Sequence, residues 1–131
     1  MTFNLSTAIA VGTGGFLGAI SRFYVGTQVV KHFPHDIPLA TLSVNIVGSF
    51  FIGILIALFL TYTPNELLKL FLITGFLGAL TTYSTFAIES YILLNNQFWY
   101  GVLNILLNVV GTIISAGIGY KLITYFTPSQ I

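Results

Sequence analysis

Polar and apolar residues in this chain segregate by whole segments rather than residue by residue. Long apolar runs are separated by short polar links, and about 20 mostly apolar residues suffice for a helix to cross a bilayer. Four such runs fit, at about residues 3–30, 38–62, 67–94 and 98–125. The links carry turn chemistry: His32-Phe33-Pro34-His35-Asp36-Ile37-Pro38, then Thr63-Pro64-Asn65-Glu66, then Asn95-Asn96-Gln97. Two prolines make the first an extended, non-helical connection. The second predicts a helix start with Thr63 as N-cap, Pro64 at the first position and Glu66 closing a capping box. No repeat or low-complexity tract interrupts the pattern, so residues 1–131 read as one transmembrane domain.

The third run departs from its neighbours. It contains Gly75 and Gly78, then five consecutive hydroxyl residues, Thr81, Thr82, Tyr83, Ser84 and Thr85, and it ends towards the carboxylate of Glu89. Hydroxyls beside the backbone compete for its hydrogen bonds, and small residues open room around it. Irregular backbone survives at membrane depth only where protein or a water-filled cavity surrounds it. The third span is therefore expected to be a broken helix whose exposed carbonyls line something polar.

Composition sharpens the class. The 131 residues are 56% hydrophobic and 5% charged, against roughly a quarter charged for a soluble domain. Lipid is the solvent such a surface requires, and the chain is read as a multi-pass protein of the cell membrane. The first run lacks the basic flank and small-residue cleavage site of a signal peptide, so it is read as a retained span. With no cysteine there is no disulfide or thiolate metal site. A net charge of +1 argues against nucleic-acid binding.

Charge also bears on orientation. With four spans, Lys69 and Lys121 fall on the side of the termini, and Lys31 with Arg22 on the other. The Lys/Arg bias that orients membrane proteins is close to zero. Either a weak bias still selects one orientation, or the chain inserts in both and forms an antiparallel, dual-topology homodimer. Four short helices enclose little interior, which favours building a site between two copies. Small residues recur at helix spacing: Gly14 and Gly18, Ser49 and Gly53, and Gly111, Ser115 and Gly119. Such ridges let helices approach closely, and they are read as packing surfaces.

Several polar residues are candidates for chemistry. Arg22 interrupts the first run, and an intramembrane charge costs about 3 kcal/mol on insertion scales. It is either an anion-attracting vestibule residue or a side chain snorkelling to headgroups. Glu89 is either an interfacial carboxylate or a partner of Arg22. Asn45 lies in a charge-free run, as inter-helix glue or as a donor to a permeating anion. Asn104, Asn108 and Thr112 recur at every fourth position, one stripe on a helix, beside the Gly111 ridge, and predict a lined pathway. Tyr83 and Phe86 share a face; ring edges are electropositive, so inward edges favour an anion. Trp99 and Tyr100 suit an interfacial belt. His32 and His35 share a polar link without a nucleophile motif, and there is no phosphate loop or carboxylate pair. An enzyme is not expected.

These residues together resemble the Fluc (CrcB) family of fluoride channels. The resemblance covers nearly the whole chain. It is carried by Gly14-Gly15-Phe16-Leu17-Gly18-Ala19-Ile20-Ser21-Arg22, by Thr41-Leu42-Ser43-Val44-Asn45-Ile46-Val47-Gly48, by Gly75 to Phe86 with Glu89, and by Asn104, Asn108 and Gly111. It implies an all-α membrane protein of four transmembrane helices with the third broken, assembled as an antiparallel dual-topology homodimer. It implies a break within the Gly78-to-Thr81 stretch, with the carbonyls of Gly78 and Thr81 holding a structural sodium ion. Carbonyl oxygens are hard ligands suited to such a cation. It implies two fluoride pores lined by Asn45, Tyr83, Phe86, the Ser84 and Thr85 hydroxyls and the stripe Asn104, Asn108 and Thr112, with Arg22 at an electropositive entrance and Glu89 in support. The family usually has Phe where this chain has Tyr83, and commonly Gly where it has Ala79.

The reading that follows is passive, selective fluoride export that lowers cytoplasmic fluoride. The alternative is a small dual-topology proton-coupled drug exporter, which needs a membrane-embedded acid, typically in the first helix. Here the first span offers Arg22 and no acid. A membrane-anchoring subunit explains the packing ridges but not the donor stripe.

Overall fold

A computed structural model describes residues 2–127. Among these described residues four helices are long and apolar enough to cross a membrane, and the third is broken, as the sequence led us to expect. Helix α1 spans Leu5–His32 and α2 spans Leu39–Thr61. The third span comprises α3 (66–80) and α4 (Tyr83–Asn96), and α5 spans Phe98–Phe126.

Local chemistry sets the helix starts. Asn4 caps α1 by accepting from the Thr7 N–H at 3.0 Å, and the Thr7 hydroxyl accepts in turn from the Asn4 N–H at 2.9 Å. This reciprocal pair satisfies two N–H groups that the helix itself cannot. Helix α3 starts differently from the sequence expectation. Asn65, not Thr63, is its N-cap, accepting from the Leu67 N–H at 2.8 Å, and the helix begins at Glu66. Asn is the stronger capping residue and stands in extended backbone there, ψ 136°. From Leu70 to Leu77 the helix widens into a π-helix, a turn type common at functional sites. Nothing in the local sequence announces it.

Close backbone approaches hold the helices together. A Cβ at Gly14 would collide with the Phe71 carbonyl oxygen, and one at Gly18 with the Phe76 carbonyl oxygen. These two glycines therefore seat α1 on the wide part of α3. Gly53 and Gly119 do the same for the α2–α5 crossing, against the carbonyls of Ala116 and Phe50. In a bilayer such contacts matter because apolar side chains gain nothing by leaving lipid for each other. The chief pairings are α1 with α3, α2 with α5, and α4 with α5. A small core of Val44, Leu77 and Leu80 sits where α2 meets α3, while Phe16, Phe23, Ile113 and Tyr125 face outward.

Candidate functional site: a polar cavity at the helix break

The helix leaves its path at two residues. Thr81 has ψ 159° and Thr82 has φ −150° and ψ 115°, both extended. Gly78 is still helical, with φ −61° and ψ −34°, so the break lies at the far edge of the Gly78-to-Thr81 stretch. Two sets of hydrogen bonds cause it. The Thr82 N–H donates to Asn45 Oδ1 at 2.8 Å, and Asn45 Nδ2 donates back to the Thr82 carbonyl at 3.1 Å. Asn45 thus pairs with Thr82 as a neighbouring strand would. The Thr82 hydroxyl then caps α4, accepting from the Thr85 N–H at 3.3 Å.

Both arrangements free carbonyls. In an unbroken helix the Thr82 N–H would serve the Gly78 carbonyl, and the Thr85 N–H the Thr81 carbonyl. Here those donors are committed to Asn45 and to the Thr82 hydroxyl. Gly78 and Thr81 accordingly lose their helical partners, and both line the same cavity.

That cavity has a volume of about 400 Å³. Of the residues singled out in the sequence, it brings together Asn45, Gly78, Thr81, Tyr83, Phe86, Asn108 and Thr112, joined by Ser49 and Thr82. The rings of Tyr83 and Phe86 meet edge to face, with centroids 5.3 Å apart and planes at 69°. Phe86 is buried, whereas Tyr83 is 77% exposed on the open side of the cavity. Ser84 and Thr85 lie beside the break but off the cavity wall. Thr85 Oγ1 accepts from the Thr82 hydroxyl at 2.9 Å, and Ser84 Oγ stands 3.5 Å from Thr82 Oγ1. The Thr112 hydroxyl is turned back to the Asn108 carbonyl at 2.6 Å.

Asn104 lies away from the cavity wall, fully enclosed at 0% exposure. Glu89 is a further turn along α4, where its Oε1 accepts from the Thr41 hydroxyl at 2.9 Å and its buried Oε2 has no partner among the described residues. Arg22 makes no ion pair with it among the described residues. It lines a separate surface groove with Phe23, Thr27, Lys31 and Ala40, so Arg22 and Glu89 are not brought together. Three participants escaped the sequence reading as site residues: Thr41, Thr82 as clamp and cap, and Ser90, whose hydroxyl accepts from Asn104 Nδ2 at 3.0 Å. A lone Ser or Thr in an apolar run carries no signal until its partner is known.

Buried polar groups in lipid need internal partners. The amides of Asn45 and Asn108 and the Thr82 backbone supply them for one another, at 3–7% exposure. The arrangement is a multi-pass membrane protein organised round a broken helix and a cavity lined in part by polar side chains. Comparison with known proteins places it further. The family model described as CrcB-like protein, Camphor Resistance (CrcB), matches residues 9–120, and the chain belongs to that family. The chain is 53% identical over 119 residues to the "Fluoride-specific ion channel FluC" of Sulfurimonas denitrificans, covering 89% of this chain and 92% of that protein. The Nautilia profundicola protein of the same name is 48% identical over 117 residues, covering 88% and 91%. That of Campylobacter jejuni is 44% identical over 117 residues, covering 88% and 96%.

Proposed function

We propose that this protein is a fluoride-selective channel that lets fluoride leave the cell passively. The observation that carries the reading is the cavity at the break, where ring edges, hydroxyls and released carbonyls converge in an otherwise apolar chain. Relatives across nearly the whole length are named fluoride-specific channels, which supports the choice of ion. A small, strongly hydrated anion enters a pore only where close donors replace its water. The ring edges of Tyr83 and Phe86 and the Tyr83 hydroxyl supply them at the cavity, and the Ser84 and Thr85 hydroxyls extend the set beside the break. Thr85 accepts from Thr82, so its own proton is free for an anion. Asn45, Asn108 and Thr112 form the wall, and Asn104 the layer behind it. Arg22, with Lys31 in the same groove, gives the mouth a positive potential, and Glu89 with Thr41 closes the polar track along α4.

The working unit is an antiparallel, dual-topology homodimer with two pores. Support comes from the near-zero charge bias and from the break itself, whose bare carbonyls and exposed Tyr83 require cover in a bilayer. A second copy against the open side of the cavity supplies it. A structural sodium ion suits the centre of that dimer. The carbonyls of Gly78 and Thr81 have lost their helical donors, and carbonyl oxygens fit a hard cation. When bound, the ion would neutralise these oxygens and tie the two breaks together.

The test is fluoride efflux from liposomes holding the purified protein, read with a fluoride electrode after valinomycin, beside a chloride control. Fast fluoride release with little chloride release is expected. No release of either ion from folded protein sinks the reading.

A further inference from the structure

From the cavity wall to the layer behind it runs a chain of side-chain amides that the pore reading uses only as lining. Asn45 Nδ2 has two protons: one goes to the Thr82 carbonyl at 3.1 Å, the other to Asn108 Oδ1 at 3.0 Å. Asn108 Nδ2 spends both of its protons on Asn104, at the carbonyl and at Oδ1, each at 3.1 Å. Asn104 Nδ2 in turn donates to Ser90 Oγ at 3.0 Å. The two amides that line the cavity therefore keep no proton for a ligand.

The direction of every link is dictated by the backbone. The Thr82 N–H can only donate and its carbonyl only accept, which fixes the Asn45 amide. The Asn104 carbonyl can only accept, which fixes Asn108. Ser90 is the adaptable end, since a hydroxyl both donates and accepts. The series spans three helices, from α4 at Ser90 through α5 to α2, and returns to the break at Thr82. All of its members are buried, at 0–7% exposure.

We propose that Asn104 and Ser90 are positioning residues that act through Asn108 and Asn45 to hold the break at Thr82. They touch no ion. They brace the Asn108 side chain, whose Oδ1 takes a proton of Asn45 Nδ2, and so hold in place the Asn45 amide that the Thr82 backbone orients. The inference rests on the fluoride-channel reading for its flux measurement alone; the state of the Thr82 amide is independent of what permeates.

Two readouts on the purified full-length protein test it: fluoride efflux from liposomes, and hydrogen–deuterium exchange of a peptide covering residues 80–86. Asn104→Leu removes the side-chain acceptor of Asn108 and the donor to Ser90, and exchange at 80–86 rises by about tenfold while efflux falls by about tenfold. Peptides from α1 keep wild-type exchange. Asn104→Asp stays within about threefold of wild type on both readouts, because the Ser90 hydroxyl turns round to donate to the new carboxyl group. Adding Ser90→Ala to Asn104→Asp removes that rescue and gives the Leu phenotype. Unchanged exchange at 80–86 in Asn104→Leu overturns the proposal, whatever its efflux. So does equal behaviour of Asn104→Asp with and without Ser90→Ala, and that pair decides the matter if the Leu variant does not fold. A wild-type protein that carries no fluoride defeats the channel reading, and the exchange comparison still judges this one.

Discussion

The α1–α3 seam and the α2–α4–α5 seam lie side by side; glycines against carbonyls serve both, and only the second adds side-chain hydrogen bonds from helix to helix. Across the first, glycines lie flat against carbonyls, and every side-chain hydrogen bond recorded for α1 is local to its own end or turn. Across the second, amides and hydroxyls join one helix to the next. Dispersion between close backbones fixes distance but is indifferent to small rotations. A hydrogen bond between buried amides fixes direction, because a misaligned donor in lipid finds no substitute. The chain uses the first kind of seam to hold a helix in place and the second to hold a backbone out of its natural conformation.

The sharpest way to break this contrast is to fill the glycine seam. In Gly18→Leu the new side chain meets the Phe76 carbonyl and the Ala79 side chain, and backbone cannot yield as a flexible side chain can. The cost is about 3 kcal/mol or more, seen as loss of monodisperse protein on size exclusion. Normal folding would mean that α1 is loosely seated.

Next in size is the break itself. Thr81→Pro removes the N–H that donates to the Leu77 carbonyl at 3.1 Å and crowds Leu80, which is helical. About 3 kcal/mol of local disruption and loss of fluoride efflux are expected. Full efflux would separate the break from function. A smaller effect attends Thr41→Val, which leaves both oxygens of the Glu89 carboxylate without a protein partner. Thermal unfolding should show a loss of about 1–2 kcal/mol, and an unchanged midpoint would make that hydrogen bond incidental. Tyr83→Phe is the mildest, since the ring edge stays and only the hydroxyl goes. Efflux should stay within about threefold; a larger drop would make the hydroxyl a required donor.

What the sequence disclosed and what it hid divide along the same line. The spans were legible because lipid imposes length and apolarity on each segment independently. The break was legible because a hydroxyl run beside glycines contradicts an apolar helix wherever it occurs. The partners were not. Thr41 and Glu89 are 48 residues apart, and Asn45 and Thr82 are 37, distances bridged only by helix packing. Arg22 and Glu89, the two charges easiest to pair on paper, form no ion pair among the described residues: Glu89 accepts from Thr41 and Arg22 lines a groove. The π-helical widening at Leu70–Leu77 and the choice of Asn65 over Thr63 as cap were also beyond reach. The first has no local sequence cause, and the second is a competition between two good capping residues.

The seating of α1 on α3 has a further meaning during synthesis. Gly18 leaves the ribosome on the order of 60 residues before Phe76, the group it is shaped to meet, a gap of about 3–12 s at usual elongation rates. Through that interval α1 stands in the bilayer with α2 as its only neighbour, and α2 in turn waits for α5. A newborn chain is therefore a set of unpartnered spans until its last segment arrives. The glycine faces are the very surfaces that let helices approach closely, so through this interval each waits open for the backbone it fits.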